Sequence, residues 1–206
     1  MKGFISFEGI DGVGKTTQIR MLADYLKNLG KNVMVCHEPG GTRIGEIIRK
    51  ILLAPDFTEM TGNTELLLYY ASRSQLLSEV ILPALNDNKI VLADRFIDST
   101  FAYQGYGQGI KSDLIDAIDV MVTEQIRPEL TLLLDLDVQE AVKRSKKQDR
   151  YEQAAIDFTE RVRNGFLDLA AKSPQRIRVI DSSGTHEETH QHILAVIEET
   201  WLLKTS

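Results

Sequence analysis

The chain has 206 residues, 43% of them hydrophobic and 26% charged, and a net charge of −6. That composition is ordinary for one sizeable globular domain and excludes collagen-like, disordered and disulfide-stapled classes. The acidic balance argues against a broad nucleic-acid or membrane-binding surface, while leaving room for a local basic pocket that takes an anionic substrate. Cys36 is the only cysteine, so no intrachain disulfide can form, and within an apolar run it reads as a small buried hydrophobe. The first residues hold one lysine and a short apolar run broken by Glu8. This is neither a secretory leader nor a membrane span, and it predicts a cytoplasmic protein.

In chain order, residues 4–7 form a first apolar, β-type run. Gly9, Ile10, Asp11, Gly12, Val13, Gly14, Lys15 and Thr16 follow and fit G-x-x-x-x-G-K-[ST] without a gap. Thr17 then opens a stretch with Ile19, Leu22, Leu26 and Leu29 at helical spacing. Strand, glycine loop and helix are the context this phosphate-binding loop requires. The glycines turn backbone N–H groups toward a polyphosphate, and the helix N-terminus adds partial positive charge. Lys15 is expected to reach the outer phosphates and Thr16 to offer its hydroxyl to Mg²⁺.

Further short apolar runs occupy residues 33–36, 90–93, 131–135 and 177–180, without clear period-two alternation. Buried parallel strands read this way. Helices are predicted over 65–85, ending near Pro83, and over 112–126, stopped by Pro128. Two more are predicted over 154–171 and 186–203. These elements predict a single α/β domain over 1–206, a five-stranded parallel sheet sandwiched by helices. Ligands in such sheets bind beyond the carboxyl ends of the strands.

At those ends the sequence places Asp94 and Arg95 after the third run. The carboxylate is positioned to hold Mg²⁺ and the guanidinium to grip a second phosphate. A strand-end ion pair or helix cap is the competing reading. A cationic stretch, with Arg144, Lys146, Lys147 and Arg150, follows the fourth run. Such runs are usually solvated faces. Two nucleotides and a reacting phosphoryl nevertheless carry more negative charge than Lys15 and one Mg²⁺ neutralise, and a mobile lid at about 143–152 could supply the balance. His186 and His190 lie four apart, but without an accompanying cysteine zinc is a minor alternative. Read residue by residue, Tyr69 belongs in a core and Arg73 on a surface.

Taken together, the run from Phe7 to Gln18 through the loop, Glu38-Pro39-Gly40-Gly41-Thr42, Tyr69-Tyr70-Ala71-Ser72-Arg73, Asp94-Arg95-Phe96, Ser99-Thr100 and Ala102-Tyr103-Gln104-Gly105 resemble the thymidylate kinase family in order and spacing over essentially the whole chain. The resemblance implies a P-loop nucleoside-monophosphate-kinase-like fold and Mg²⁺-dependent transfer of a phosphoryl group from ATP to dTMP. It implies that the loop residues through Thr17 bind ATP, and that Thr16 and Asp94 serve the metal. Arg73 is then read as the partner of the thymine edge, Tyr69 as stacking on the ring, and Thr100 and Gln104 as completing the base pocket. Tyr103 would crowd the sugar 2′ position, Arg95 would hold the acceptor phosphate, Ser99 would belong to the dTMP site, and Asp11 would lie near the sugar or that phosphate. Glu38 and Pro39 would line the acceptor site, with a cis bond before Pro39. The resemblance also implies a homodimer. The loop carries no arginine, so the catalytic cation is assigned to the lid, where Lys146 and Lys147 stand in place of common arginines and Arg144 and Arg150 are the guanidinium candidates. His37 stands where arginine is frequent. The nearest alternative is a deoxynucleoside kinase of the same fold, with Glu8 as base for a sugar hydroxyl. A GTPase-like switch is a more distant one, drawing on Asp181-Ser182-Ser183-Gly184.

Overall fold

The computed structural model describes residues 3–144 and 156–200. All five strands appear, as β1 (Phe4–Glu8), β2 (Val33–His37), β3 (Ile90–Asp94), β4 (Leu130–Asp135) and β5 (Ile177–Asp181). They form one parallel sheet in the order β2-β3-β1-β4-β5. The first strand therefore lies at the centre, and the chain visits one side of it before the other. The register pairs Phe7 with Asp94, His37 with Asp94, and Asp135 with Asp181, which brings the carboxyl ends to a common edge.

The helices are α1 (Lys15–Asn28), α2 (Arg43–Leu53), α3 (Gly62–Leu76), α4 (Leu82–Asn86), α5 (Ile97–Thr100), α6 (Ser112–Thr123), α7 (Val138–Arg144), α8 (Ile156–Lys172) and α9 (His186–Thr200). Alternation along the strands sorts the core into two layers. Ile5, Phe7, Leu92 and Leu132 pack with Leu22 and Leu26 of α1, Phe166 of α8 and Ile193 and Ile197 of α9. Phe4, Val91 and Ala93 face the other way, toward Leu76, Leu77 and Ile81. At the centre Ser6 and Thr131 are fully buried but satisfy each other, hydroxyl to hydroxyl, at 2.8 Å.

Several boundaries depart from expectation, the strands by a residue and the long helix by its start at Gly62 rather than Glu65. The helix expected to end near Pro83 continues to Asn86, because a π-helical turn over Leu77–Ile81 joins α3 to α4. The wider turn moves the hydrogen-bond pattern by one residue and puts proline in the first turn of α4, where a missing N–H is harmless. The helix from Ser112 ends at Thr123 rather than Ile126, since Glu124 and Gln125 turn left-handed, with φ of 48° and 63°. Helix α2 was not anticipated although Ile44, Ile47, Ile48, Ile51 and Leu52 recur at helical spacing, whereas the turns over 97–107 are too short to show a period. Of the helices expected over 154–171 and 186–203, residues 154–155 and 201–203 lie outside the described residues, and the first of the two helices runs on to Lys172.

Candidate active site

A cavity of about 1230 Å³ opens at the carboxyl edge of the sheet, walled by the glycine loop, the end of β3, α3 and the turn after α5. The loop crosses from β1 to α1 with Gly9, Gly12 and Gly14 at φ of 129°, 87° and 94°. At Gly12 the reason is steric as well as conformational: a Cβ would stand 2.1 Å from the Ala141 carbonyl oxygen of α7. Lys15 is buried, and its ammonium donates to the carbonyls of Gly9 at 3.0 Å and Ile10 at 2.9 Å, with Asp11 3.7 Å away. Burial, then the neighbouring Arg95, bring its pKa down to about 8. Thr16 donates to Asp94 Oδ2 at 3.1 Å, so a hydroxyl and a carboxylate, both hard oxygen donors, meet beside the loop. Thr17, Asp11, Gly12 and Gly14 line the same cavity, and Ile10 and Val13 pack into the core beneath it.

Arg95 follows β3 in the left-handed region, φ 71°, which a non-glycine residue adopts at a cost of about 1–2 kcal/mol. The turn aims its guanidinium across the cavity mouth. There it donates to the Gly9 carbonyl at 2.9 Å, to Ser99 Oγ at 3.0 Å, to Asp11 and to the Tyr103 hydroxyl. The same guanidinium lies 5.1 Å from the centre of the Tyr103 ring. Phe158 and Phe166 back that ring from behind.

Deeper in, Arg73 reverses its surface reading. Its side chain is 1% exposed and pairs with Glu38, whose side chain is 3% exposed. Arg73 Nε donates to Glu38 at 2.8 Å, and Nη2 donates to Thr100 Oγ1 at 2.9 Å and to the Phe96 carbonyl at 3.1 Å. Tyr70 and Phe96 stack against the cation at 4.9 and 5.1 Å. Nη1 remains buried with no hydrogen-bond partner among the described residues, as does Glu38 Oε1. Burial raises the Glu38 pKa and Arg73 opposes it. Tyr69 is half-buried and lines the cavity, and Gln104 is buried and donates to Glu65. The peptide bond before Pro39 is cis. The turn that follows is tied down by Gly40 N–H to Ser72, by Gly41 N–H and His37 to Glu46, and by Arg49 to the Pro39 carbonyl.

The cationic stretch divides. Arg144 lines the cavity, but its guanidinium donates to the carbonyls of Ser182 and Ser183 at 2.8 and 2.9 Å, on the loop after β5. It is thus engaged by backbone rather than poised over the loop. Lys146, Lys147 and Arg150 lie outside the described residues. His186, read in the sequence only as a minor zinc alternative with His190, instead lines the cavity with its ring 3.7 Å from the Cβ position of Gly14. Its presence there depends on a loop after a distant strand. Among the described residues no group of three His, Cys, Asp or Glu side chains is gathered as a metal site.

Glu8 was considered only as a base. It is fully buried, with Oε1 accepting from the Phe96 N–H at 2.8 Å and Oε2 from Ser99 Oγ at 2.6 Å. A carboxyl so enclosed cannot meet a sugar hydroxyl, and the deoxynucleoside kinase alternative loses its base. The Asp181–Gly184 segment follows an edge strand, two strands from the glycine loop, which removes the structural context of a nucleotide switch.

Comparison with known proteins agrees with this geometry. The profile of the family described as thymidylate kinase matches residues 7–193. A thymidylate kinase of Pelotomaculum thermopropionicum is 46% identical over 204 residues, covering 97% of this chain and 94% of the relative. One from Kosmotoga olearia is 46% identical over 194 residues, covering 93% of each. A crystal structure of thymidylate kinase from Ehrlichia chaffeensis superposes with a TM-score of 0.78 at 38% identity, covering 94% of this chain and 97% of that one.

Proposed function

The chain belongs to the thymidylate kinase family, and from that premise we propose that its cavity transfers a phosphoryl group from ATP to dTMP, releasing dTDP and ADP. One observation carries the reading to this site. The phosphate loop and a buried, unpartnered guanidinium nitrogen, Arg73 Nη1, line one continuous cavity. A buried donor left over in this way is completed by a ligand acceptor, and a thymine carbonyl is a suitable one. Tyr69 supplies a face for the ring, Thr100 and Gln104 close the pocket, and Tyr103 occupies the space a ribose 2′-hydroxyl would need. Arg95, with Ser99 and Asp11 beside it, takes the acceptor phosphate, and the turn at Glu38 and Pro39 walls that site.

The nucleophile is a phosphate oxygen, already anionic, so no side chain has to remove a proton. The residues act by positioning and charge. The backbone from Gly9 to Thr17 cradles the donor phosphates, and Lys15 and Arg95, which both donate to the Gly9 carbonyl, bring two cations to the transferred group. Thr16 and Asp94 fit Mg²⁺, which would screen the charge between the two nucleotides. A lid over 143–152, carrying Lys147 and Arg150, closes on this assembly and excludes water, with Arg144 at its root. The whole chain acts as one kinase domain. The proposed setting is cytoplasmic, where ATP and dTMP are available; no described helix is long and apolar enough to cross a membrane.

The test is ADP release from ATP and Mg²⁺ with dTMP, dUMP, UMP, dCMP, AMP and thymidine offered separately. The expected result is strong preference for dTMP; turnover of thymidine but not of dTMP would overturn the reading.

A second copy of the chain is the proposed partner. Ile44, Ile47 and Ile51 form an outward stripe on α2, 50%, 54% and 37% exposed, with Leu67 of the adjoining α3 at 56%. A contiguous apolar face of this kind marks an interface. Sedimentation equilibrium is expected to give a dimer, and I47E a monomer.

A further inference from the structure

The buried carboxyl of Glu8 has no part in the chemistry above, yet every contact it makes leads to Arg95. Oε1 accepts the Phe96 N–H at 2.8 Å, the peptide next to the left-handed Arg95. Oε2 accepts from Ser99 Oγ at 2.6 Å, and Ser99 Oγ in turn accepts from Arg95 Nη1 at 3.0 Å. The Arg95 N–H is held by the Phe7 carbonyl at 3.0 Å, one residue before Glu8. Backbone and side chain of Arg95 are thus both fixed from the end of β1. We propose that Glu8 is a positioning residue that sets the direction of the Arg95 guanidinium, through the Phe96 peptide and the Ser99 hydroxyl, and thereby gives the site its affinity for the acceptor's phosphate group rather than for its nucleoside. This rests on the assignment of Arg95 to that phosphate.

Three physical points support it. A non-glycine residue persists in the left-handed region only when its surroundings hold it there. Removing Glu8 leaves the buried Phe96 N–H without its acceptor and frees the turn to relax. Second, Ser99 sits between Glu8 and Arg95 and has one hydroxyl to satisfy both, so its rotamer is decided by Glu8. Third, burial and then Asp98 push the Glu8 pKa up to about 8, against the opposing pull of Arg95 and the two hydrogen bonds. Burial thus works against the negative charge that would otherwise offset the Arg95 cation.

The experiment is calorimetric titration of the intact protein with dTMP and, separately, with thymidine, which lacks the phosphate. The quantity read is the ratio of the two Kd values. E8A is expected to weaken dTMP about tenfold or more, the effect of leaving the buried Phe96 N–H unpaired and the Ser99 hydroxyl unfixed, while thymidine changes less than about twofold. S99A is expected to shift the ratio in the same direction. E8Q, neutral and of the same shape, keeps both contacts with the serine hydroxyl reversed and stays within about threefold of the parent. Equal losses for dTMP and thymidine, or an unchanged ratio in E8A and S99A, would overturn the proposal. R95A separates the two levels. If it leaves the ratio intact, the phosphate site itself is misassigned; if it collapses the ratio and E8A and S99A do not, only the role of Glu8 is wrong. Should E8A fail to fold, E8D, one methylene too short to reach both the Phe96 N–H and Ser99 Oγ, carries the decision.

Discussion

Replacing Arg73 by alanine tests the deepest part of the site. The cation is 1% exposed and pairs with a carboxylate 3% exposed, so both were desolvated on folding. Removing one member of such a pair strands the other, at a cost of about 3–5 kcal/mol. A domain of this size has about 5–15 kcal/mol in total, so R73A should lose a large fraction of its stability. The loss also depends on pH. Burial already raises the Glu38 carboxyl, Asp119 adds to that, and Arg73 opposes it. Without Arg73 the folded state holds a proton that the unfolded state has released above its ordinary pKa of 4.5. Stability therefore falls as pH rises, and the R73A deficit is smallest near pH 4.5 and grows toward neutrality. Urea unfolding of parent and variant at pH 5, 6 and 7 measures it. The double variant E38L/R73M replaces the pair by apolar groups and should recover most of the stability. It should not recover dTMP turnover, because the unpartnered Nη1 is gone. An R73A deficit under about 1 kcal/mol at pH 7 would refute the argument, as would a deficit that shrinks with rising pH.

Other consequences are as direct. Lys15→Ala should abolish turnover in the ADP-release assay. Because Lys15 titrates near 8 in the empty site, against 10.5 unperturbed, nucleotide phosphates should draw a proton onto it. Calorimetric binding of ADP at pH 8.5 in buffers of different ionisation heat should show that uptake in the parent and not in Lys15→Ala. In the absence of nucleotide, the Lys15 contribution to stability should be present above 10.5 and lost as pH falls through 8, read as a slope in unfolding free energy that Lys15→Met lacks. Tyr103→Ala should admit UMP, while Tyr103→Phe should weaken dTMP use only modestly; competition kinetics with the two acceptors decides. Gly12→Ala forces a Cβ to 2.1 Å from the Ala141 carbonyl at a positive φ, and should lower the melting temperature and the ATP affinity together.

The strands were legible because each is a short apolar run buried by its neighbours, and the glycine loop because phosphate geometry allows few residue types. Pro83 misled because a π-helical turn accommodates it, and such turns leave no mark in residue periodicity. Arg73 misled for a different reason. Its burial depends on Glu38, 35 residues away, and on the Phe96 carbonyl, 23 away. Local pattern reads a lone arginine as surface, and only the motif as a whole placed it in the site. Glu8 ends a strand that is apolar apart from Ser6, and its partners, Phe96 after β3 and Ser99 of α5, lie 88 and 91 residues along the chain. Arg144 was legible as a cation near the cavity, but its carbonyl partners after β5 were not.

The end of β3 sends three consecutive side chains in three directions. Asp94 meets Thr16, Arg95 crosses the cavity mouth, and the Phe96 ring turns inward to meet Phe4 edge-on at 5.0 Å. Over evolutionary time such a stretch can accept changes of residue far more readily than changes of length. A single insertion or deletion there would rotate Asp94, Arg95 and the Phe96 core anchor out of place at once, with no compensation available from any one neighbouring site. Descendants of this sequence are therefore free to drift in their outer helices while the residue count between the last β3 pairing and α5 stays fixed.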